Sequence, residues 1–481
     1  MPLASHTEAP AAAVELGLLS RRLDFCPDPE RAFVHMYGRS QNAFWLDSSG
    51  GGERGRFSFM GDSEGPLGAI VTYDVTAGQV RVECQAGVEV HDESIFEYLG
   101  RESQSLRRLS ADLPFDFACG FAGFFGYELK ADCGAEAAHQ AATPDAALVF
   151  ADRMVAFDHR EGHAYLLALI TPGAEDWINE TGRRLEALPS LPEPKLQPEP
   201  LDLHMRCSSG RYRDQIEACK RYLHAGHSYE ICLTNKLVAE ASPDPLELYR
   251  SLRRVNPAPF AAYLRFGKLA VLSSSPERFL ALDREGGAEA RPIKGTSRRS
   301  VTPEEDVRLA TALRADEKNR AENVTIVDLL RNDLGRVCEI GSVEVPELMR
   351  VESYETVHQL VSSVRGRLRE DVGPVECIRA CFPPGSMTGA PKLRTMEILD
   401  ELEGEARGPY SGAIGYLGLG GGCDLSVAIR AIVLDGEEAV IGAGGAVVVD
   451  SSPEEEFEEM LLKADATVSA FEASTQFFCR T

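Results

Sequence analysis

The clearest chemical signals are four glutamates, two lysines and a histidine. In SPEEEFEEMLLKA, which reads as a helix after a Ser-Pro start, Glu456, Glu459 and Lys463 lie three, then four, residues apart. That spacing puts them on one face. Phe457, Met460, Leu461 and Ala464 form the neighbouring apolar stripe. Glu322 lies in a second helical stretch, DEKNRAENVTIVDLLRNDL. Carboxylates converging on one point suit a hard divalent ion such as Mg²⁺, which keeps waters and a substrate oxygen. The bland reading is solvated surface charge. Lys294 follows Pro292-Ile293 and precedes Gly295-Thr296. Such an approach could aim the amine inward. Desolvation, or cations such as Arg291, Arg298 and Arg299, would then lower its pKa and free the lone pair for attack. The alternative is an ordinary charge in a turn.

Glu277, in SPERF at the end of a strand, could hold its proton near neutral pH against apolar neighbours and act as an acid. It could also be a simple turn residue. His358, between Val357 and Leu360, fits a proton shuttle or a satisfied core histidine. Arg430, Lys463, Thr388 and the amides of 442–445 could grip a carboxylate, or be ordinary surface and turn groups. CFPPGSMTGAPK is a Gly-rich turn with Ser386 and Thr388, and Pro391 suits a first helical position. Free amides at such a helix start favour anions.

Composition narrows the class. The formal charge of -25 argues against nucleic acid or an acidic membrane as partner. An anionic small molecule would need local Arg, Lys or amide groups, or a metal. The 12 cysteines include no CxxC pair and read as reduced core thiols, which points to the cytoplasm. Neither a secretory signal nor an apolar run of membrane-spanning length is visible. There is no P-loop or fixed-period repeat, and no GxGxxG that opens a helix after a strand.

The elements that must position these groups mix helices with antiparallel strands, without a βαβ beat, so the fold class is α+β. Residues 1–20 read as a flexible start and 471–481 as a tail. PSLPEPKLQPEPLDL marks a Pro-rich connector over 189–205. It separates an N-terminal part, 21–188, from a catalytic region, 206–470. Pro303–Leu334 reads as one long, mostly helical stretch. Tyr410–Leu417, Asp424–Leu434 and Glu438–Val449 read as an antiparallel meander. In its middle strand Leu425, Val427 and Ile429 share a face, and Arg430 points the other way.

Taken in order, SPERF, PIKGT, RAENVTIVDLLRNDLGRV, VHQLVSSVRG, PPGSMTGAPK, GAIGYL, AIRA and GAGGAVVVDSSPEEEFEEMLLKA resemble the chorismate-utilising enzyme family. That family includes anthranilate synthase component I, isochorismate and salicylate synthases, and enzymes that aminate chorismate at C4. RFSF and GFFGYELK extend the resemblance over nearly the whole chain. Pro384 departs from it, standing where the family commonly has glycine. The resemblance implies a large αββα sandwich of two antiparallel sheets flanked by helices, interleaved from both parts of the chain.

It also implies roles. PIKGT looks like the C4-aminating branch, whereas anthranilate synthases carry alanine at the position of Lys294. In that branch the lysine attacks C2 of chorismate and the C4 hydroxyl leaves. Ammonia then attacks C4 and expels the lysine. Glu230, in YEICLTNK, stands where isochorismate and salicylate synthases carry a water-activating lysine. Glu277 resembles the general acid. Glu322 and Glu459 resemble the Mg²⁺ ligands, with Glu456 close by. His358 looks like a histidine near the substrate ring. Thr388, Tyr416, Arg430, Gly444 and Lys463 resemble the substrate-holding set. The implied product is 4-amino-4-deoxychorismate, with ammonia from a separate glutaminase subunit and a lyase completing 4-aminobenzoate. Anthranilate synthase component I is the alternative enzyme, and a chorismate-binding homologue without turnover is the alternative of another class.

Overall fold

The computed structural model describes residues 17–48, 55–105, 112–194, 201–354 and 357–471. Of the expected tail only Phe471 is described, and the middle of the connector lies outside them. Of the expected flexible start only 17–20 is described, and there Leu18–Leu23 is a strand paired with His163–Leu169.

Two antiparallel sheets of twelve strands each face one another. Each contains strands from both sides of the Pro-rich connector. In the first, Asn42–Asp47 pairs with Phe260–Phe266. In the second, Gly120–Phe125 pairs with Ala413–Gly418. Phe44, Phe59, Leu264 and Val271 of the first sheet meet Val71, Phe121, Phe124 and Leu280 of the second in one buried cluster. The outer face of the first sheet is covered by helices through Phe33, Ile216, Leu252 and Met460, which pack with Trp45, Leu233 and Ile441. Burial on both faces explains why these strands read as nearly continuous apolar runs. Tight turns set the local pairing. Phe260–Phe266 and Leu269–Ser275, for example, are joined through Gly267-Lys268.

Two expectations are corrected. The meander is split between the sheets. Ala413–Gly418 and Cys423–Val427 form a hairpin in the second sheet, while Ala431–Asp435 and Glu438–Val447 form one in the first. The chain crosses between sheets at 428–430, so Ile429 and Arg430 are not strand residues. Arg430 sits at φ 50, in the left-handed region that single residues adopt at such corners. The long helical stretch is likewise two helices, Pro303–Ala315 and Glu317–Gly335. Asp316 between them is extended, and its carboxylate caps the second helix by accepting from the Asn319 amide. The turn helix starts one residue later than expected, at Lys392, with Pro391 as its cap.

The short strand Gly389–Ala390 pins the start of Glu230–Glu240 by pairing with Glu230 and Ile231. Gly389 has φ 145, and a Cβ there would stand 1.9 Å from the Glu230 carbonyl oxygen. Gly389→Ala should therefore destabilise the fold by about 2–4 kcal/mol. The denaturant midpoint reads this out, and an unchanged midpoint would contradict the pairing.

Candidate active site

Lys294 enters the space between the sheets because its strand is irregular. Ile293 pairs with Val361 and Thr296 with Gln359, so Lys294-Gly295 holds one residue more than its partner strand. Bulges of this kind re-aim a side chain. The amine lies 2.5 Å from Oε1 of Glu230, the first residue of Glu230–Glu240 in the opposite sheet. Lys294 is 8% and Glu230 1% exposed, so the pair is shut away from water. Burial pulls the lysine's pKa down, but Glu230 and then Glu322 outweigh it and hold the amine above its ordinary value. The expectation of cationic neighbours is thus corrected. Arg291 pairs with Glu347 and Glu352, and Arg299 with Asp306. Successive strand residues point to opposite faces, so proximity in sequence did not carry over to the pocket.

Four carboxylates and three amines converge here. Helix Glu317–Gly335 supplies Lys318 and Glu322, and helix Pro453–Val468 supplies Glu456, Glu459 and Lys463. The Lys318 amine lies 2.8 Å from Glu456 and 4.0 Å from Glu322. Lys463 lies 2.7 Å from Glu459 and donates to the Gly444 carbonyl at 3.0 Å. Glycine at 445 keeps the floor open, because a Cβ there would come within 3.0 Å of Glu456 Oε2. Burial raises Glu322 to about 7, against the pull of Lys294 and Lys318. Glu459 is held below its ordinary value. Burial opposes this, but Lys463, Lys318 and Lys294 prevail.

The group fits a hard dication. Glu456 Oε2 is buried without a hydrogen-bond partner, and the Lys318 ammonium already bridges toward two carboxylates. Among the described residues no three His, Cys, Asp or Glu side chains stand close enough to hold a metal unaided. Mg²⁺ is satisfied by fewer, with water and substrate oxygens completing its shell.

Glu277 lies between Leu269–Ser275 and Arg278–Leu282. Burial raises its carboxyl to about 7, moderated by the Ser386 hydroxyl, Lys294 and the Ile293 amide. A carboxyl so placed titrates near neutral pH and can still hold a proton there. Ser386 comes from the turn Gly385–Met387, which Pro384 enters with its carbonyl accepting from the Met387 amide. Thr388 is fully buried and donates to the Gly385 carbonyl. Arg430 makes no ion pair among the described residues, and burial lowers its pKa. Its field reaches Tyr410 and Glu459. A half-buried guanidinium without a carboxylate is a ready anion grip.

Two expected residues are engaged by partners outside this group. His358 pairs with Ser297 in the ladder, three residues beyond Lys294. Its Nε2 lies 3.0 Å from Asp306 and its Nδ1 2.8 Å from Ser353 Oγ. Asp306 can only accept, so Nε2 donates to it. The ring is a satisfied histidine. Tyr416 stacks on Phe117 at 4.4 Å and lines a cavity of about 570 Å³ with Arg278, Glu289 and Asp424. None of the residues converging on Lys294 lines that cavity. Tyr410 instead lies beside Arg430, with its ring where a Gly442 side chain would go. Sequence reading passed over Tyr410, although an aromatic just ahead of a glycine-bearing strand was its signal.

A buried amine, a carboxyl able to hold a proton near neutral pH and a guanidinium that makes no ion pair among the described residues, walled by two sheets, make a pocket suited to chemistry on a small anion. The profile of chorismate binding enzymes matches residues 43–469. The chain belongs to that family. It is 49% identical over 476 residues to an aminodeoxychorismate synthase of Streptomyces pristinaespiralis, covering 96% of this chain and 66% of that protein. A chloroplastic aminodeoxychorismate synthase of Arabidopsis thaliana is 46% identical over 472 residues, covering 91% and 51%. The chain thus spans between half and two thirds of these relatives. Anthranilate synthase component I from Streptococcus pneumoniae TIGR4 has a similar fold, with a TM-score of 0.74 and 29% identity, covering 86% and 92%.

Glu277 gives a pH prediction. Its folded value, about 7, lies above the ordinary 4.5, so the folded state binds this proton more tightly. The stability it contributes is full below about 4.5 and is lost as pH rises to about 7. The loss is about 3 kcal/mol at ~1.4 kcal/mol per pKa unit. Glu277→Gln should remove this component from unfolding free energies measured across that interval. An unaltered pH slope would contradict the raised carboxyl.

Proposed function

We propose that this chain is the synthase part of an aminodeoxychorismate synthase, converting chorismate and ammonia to 4-amino-4-deoxychorismate and water. The observation that carries the reading is Lys294, buried and aimed into the same pocket as the proton-bearing Glu277. A C2-aminating enzyme has no use for a nucleophile there.

In this reading the Lys294 amine attacks C2 and the ring double bond shifts. Glu277 gives its proton to the departing C4 hydroxyl, which leaves as water. The covalent adduct divides one hard displacement into two easier ones. Ammonia then attacks C4, and the lysine leaves from C2. Arg430, Lys463, Thr388 and the Gly444 segment hold the substrate carboxylates, with Tyr410 against Arg430. Glu322 and Glu459 would hold Mg²⁺, with Glu456 beside them, and the ion would neutralise a substrate carboxylate. His358 is a positioning residue that ties Asp306 to Ser353. Tyr416 packs in the wall rather than on the substrate.

Ammonia would come from a glutaminase, as a partner or an attached part, and a lyase would consume the product. No helix among the described residues is long and apolar enough to cross a membrane. The described cysteines are all free, which suits a reducing compartment such as the cytoplasm.

Product analysis by mass spectrometry tests the reading. With chorismate, Mg²⁺ and ammonium at mildly alkaline pH, the expected product has chorismate's hydroxyl replaced by an amine. Anthranilate, which lacks the pyruvate carbon atoms, would contradict it. Lys294→Ala should lower this turnover roughly 10³-fold in protein that circular dichroism shows to be folded, with a lowered melting temperature because Glu230 loses its buried partner. Glu459→Ala should raise the Mg²⁺ needed for half-maximal rate by about 10–100-fold, as lost ligand support does. An unchanged Mg²⁺ titration would remove Glu459 from the metal site.

A further inference from the structure

We infer that Glu230 is the base that takes the proton from Lys294 before attack and returns it when the lysine leaves. The inference rests on the reading of Lys294 as nucleophile and goes beyond it, because an ammonium cannot attack carbon. The proton must first go to a group beside the amine, because the Lys294–Glu230 pair is itself buried from water. Glu230 is the carboxylate in ion-pair contact with Lys294, at 2.5 Å. Glu322 acts on the amine from farther away.

The other carboxyl groups are engaged elsewhere. Glu277 must hold a proton to expel the hydroxyl, so it cannot also be the base. Glu322 and Glu459 must stay ionised to hold a dication. Glu230 has no such duty. Its Oε2 is buried without a hydrogen-bond partner, so no second donor competes with Lys294. Its backbone is fixed on two sides. The ladder to Ala390 holds it from one, and the Ser228 hydroxyl donates to its carbonyl at 2.9 Å. The carboxylate therefore meets the amine in one geometry.

The protons balance without solvent. Glu230 takes one proton from the Lys294 ammonium, leaving a neutral amine. The amine's lone pair forms the N–C2 bond, and the C4–O bond breaks as Glu277 protonates the leaving oxygen. Lysine nitrogen in the adduct is then a secondary ammonium. Ammonia forms the C4–N bond, and the C2–N bond breaks to release neutral lysine. Glu230 returns its proton to that amine. The new C4 ammonium gives one proton to Glu277. Both glutamates end as they began, and the net change is hydroxyl plus ammonia to amine plus water.

Three variants test this: Glu230→Gln, Lys294→Ala and the two combined. Glu230→Gln should lower kcat at least 100-fold with KM for chorismate within threefold. The combined variant should retain the same residual rate as Lys294→Ala, since a base for an absent lysine has nothing to do. Glu230→Asp, which keeps the carboxylate, should recover at least tenfold over Glu230→Gln. Melting temperatures exclude trivial unfolding, and the combined variant leaves no buried charge unpaired. Glu230→Gln with kcat within threefold of the parent would overturn the inference, as would a combined variant much slower than Lys294→Ala. Failure of Glu230→Asp to exceed Glu230→Gln would also overturn it. Full activity in Lys294→Ala would instead overturn the nucleophile reading itself.

Discussion

The contact on which the site depends is the ion pair between Lys294 and Glu230, made across the gap between the two sheets. Taking two charges out of water costs several kcal/mol per ion, and their attraction offsets this only with close, fixed geometry. A pair of this kind is a poor stabiliser. It holds only because both partners are over-determined. A bulge fixes the lysine. A short strand, with a glycine where no Cβ fits, fixes the glutamate. Strain and buried charge of this sort collect where chemistry is done.

The rest of the pocket extends the same alternation of sign. Glu322, Glu456 and Glu459 interleave with Lys318 and Lys463, so each of these charges faces an opposite one, while Arg430 makes no ion pair among the described residues. A chain of formal charge -25 thereby still gathers Arg430, Lys318 and Lys463 in one place, which suits a small anion. Burial then sorts the carboxyl groups. Glu277 and Glu322 are raised to about 7, while Glu459, beside Lys463, is lowered. In the proposed reading this difference separates an acid, Glu277, from a metal ligand, Glu459, and the ion itself would have to keep Glu322 ionised.

Helical spacing made part of this legible. Glu456, Glu459 and Lys463 share a face in the structure as in the sequence, over a buried stripe of Phe457, Met460 and Ala464. The family blocks carried the sandwich. What stayed hidden was long-range or conformational. The apolar run from Leu425 to Leu434 gives no sign that it changes sheets, because both ends are buried and the corner is made by one residue's φ at Arg430. Asp316 reads as a helical residue until its cap to Asn319 is seen. The cations around Lys294 were inferred from adjacency in sequence, whereas its partners come from residues 64 and 28 positions away, Glu230 and Glu322. Tyr416 was placed by its block, and only the packing of Tyr410 against Gly442 and near Arg430 separates the two tyrosines.

The central claim is that Lys294 forms a bond to the substrate. Peptide mapping by mass spectrometry, after incubation with chorismate and Mg²⁺ but without ammonia, tests it most directly. Without ammonia the first displacement has nothing to follow it. The account predicts a peptide carrying Lys294 heavier by chorismate less water, and loss of that added mass once ammonium is supplied. An unmodified Lys294 in enzyme that goes on to make the C4 amine at full rate would contradict it.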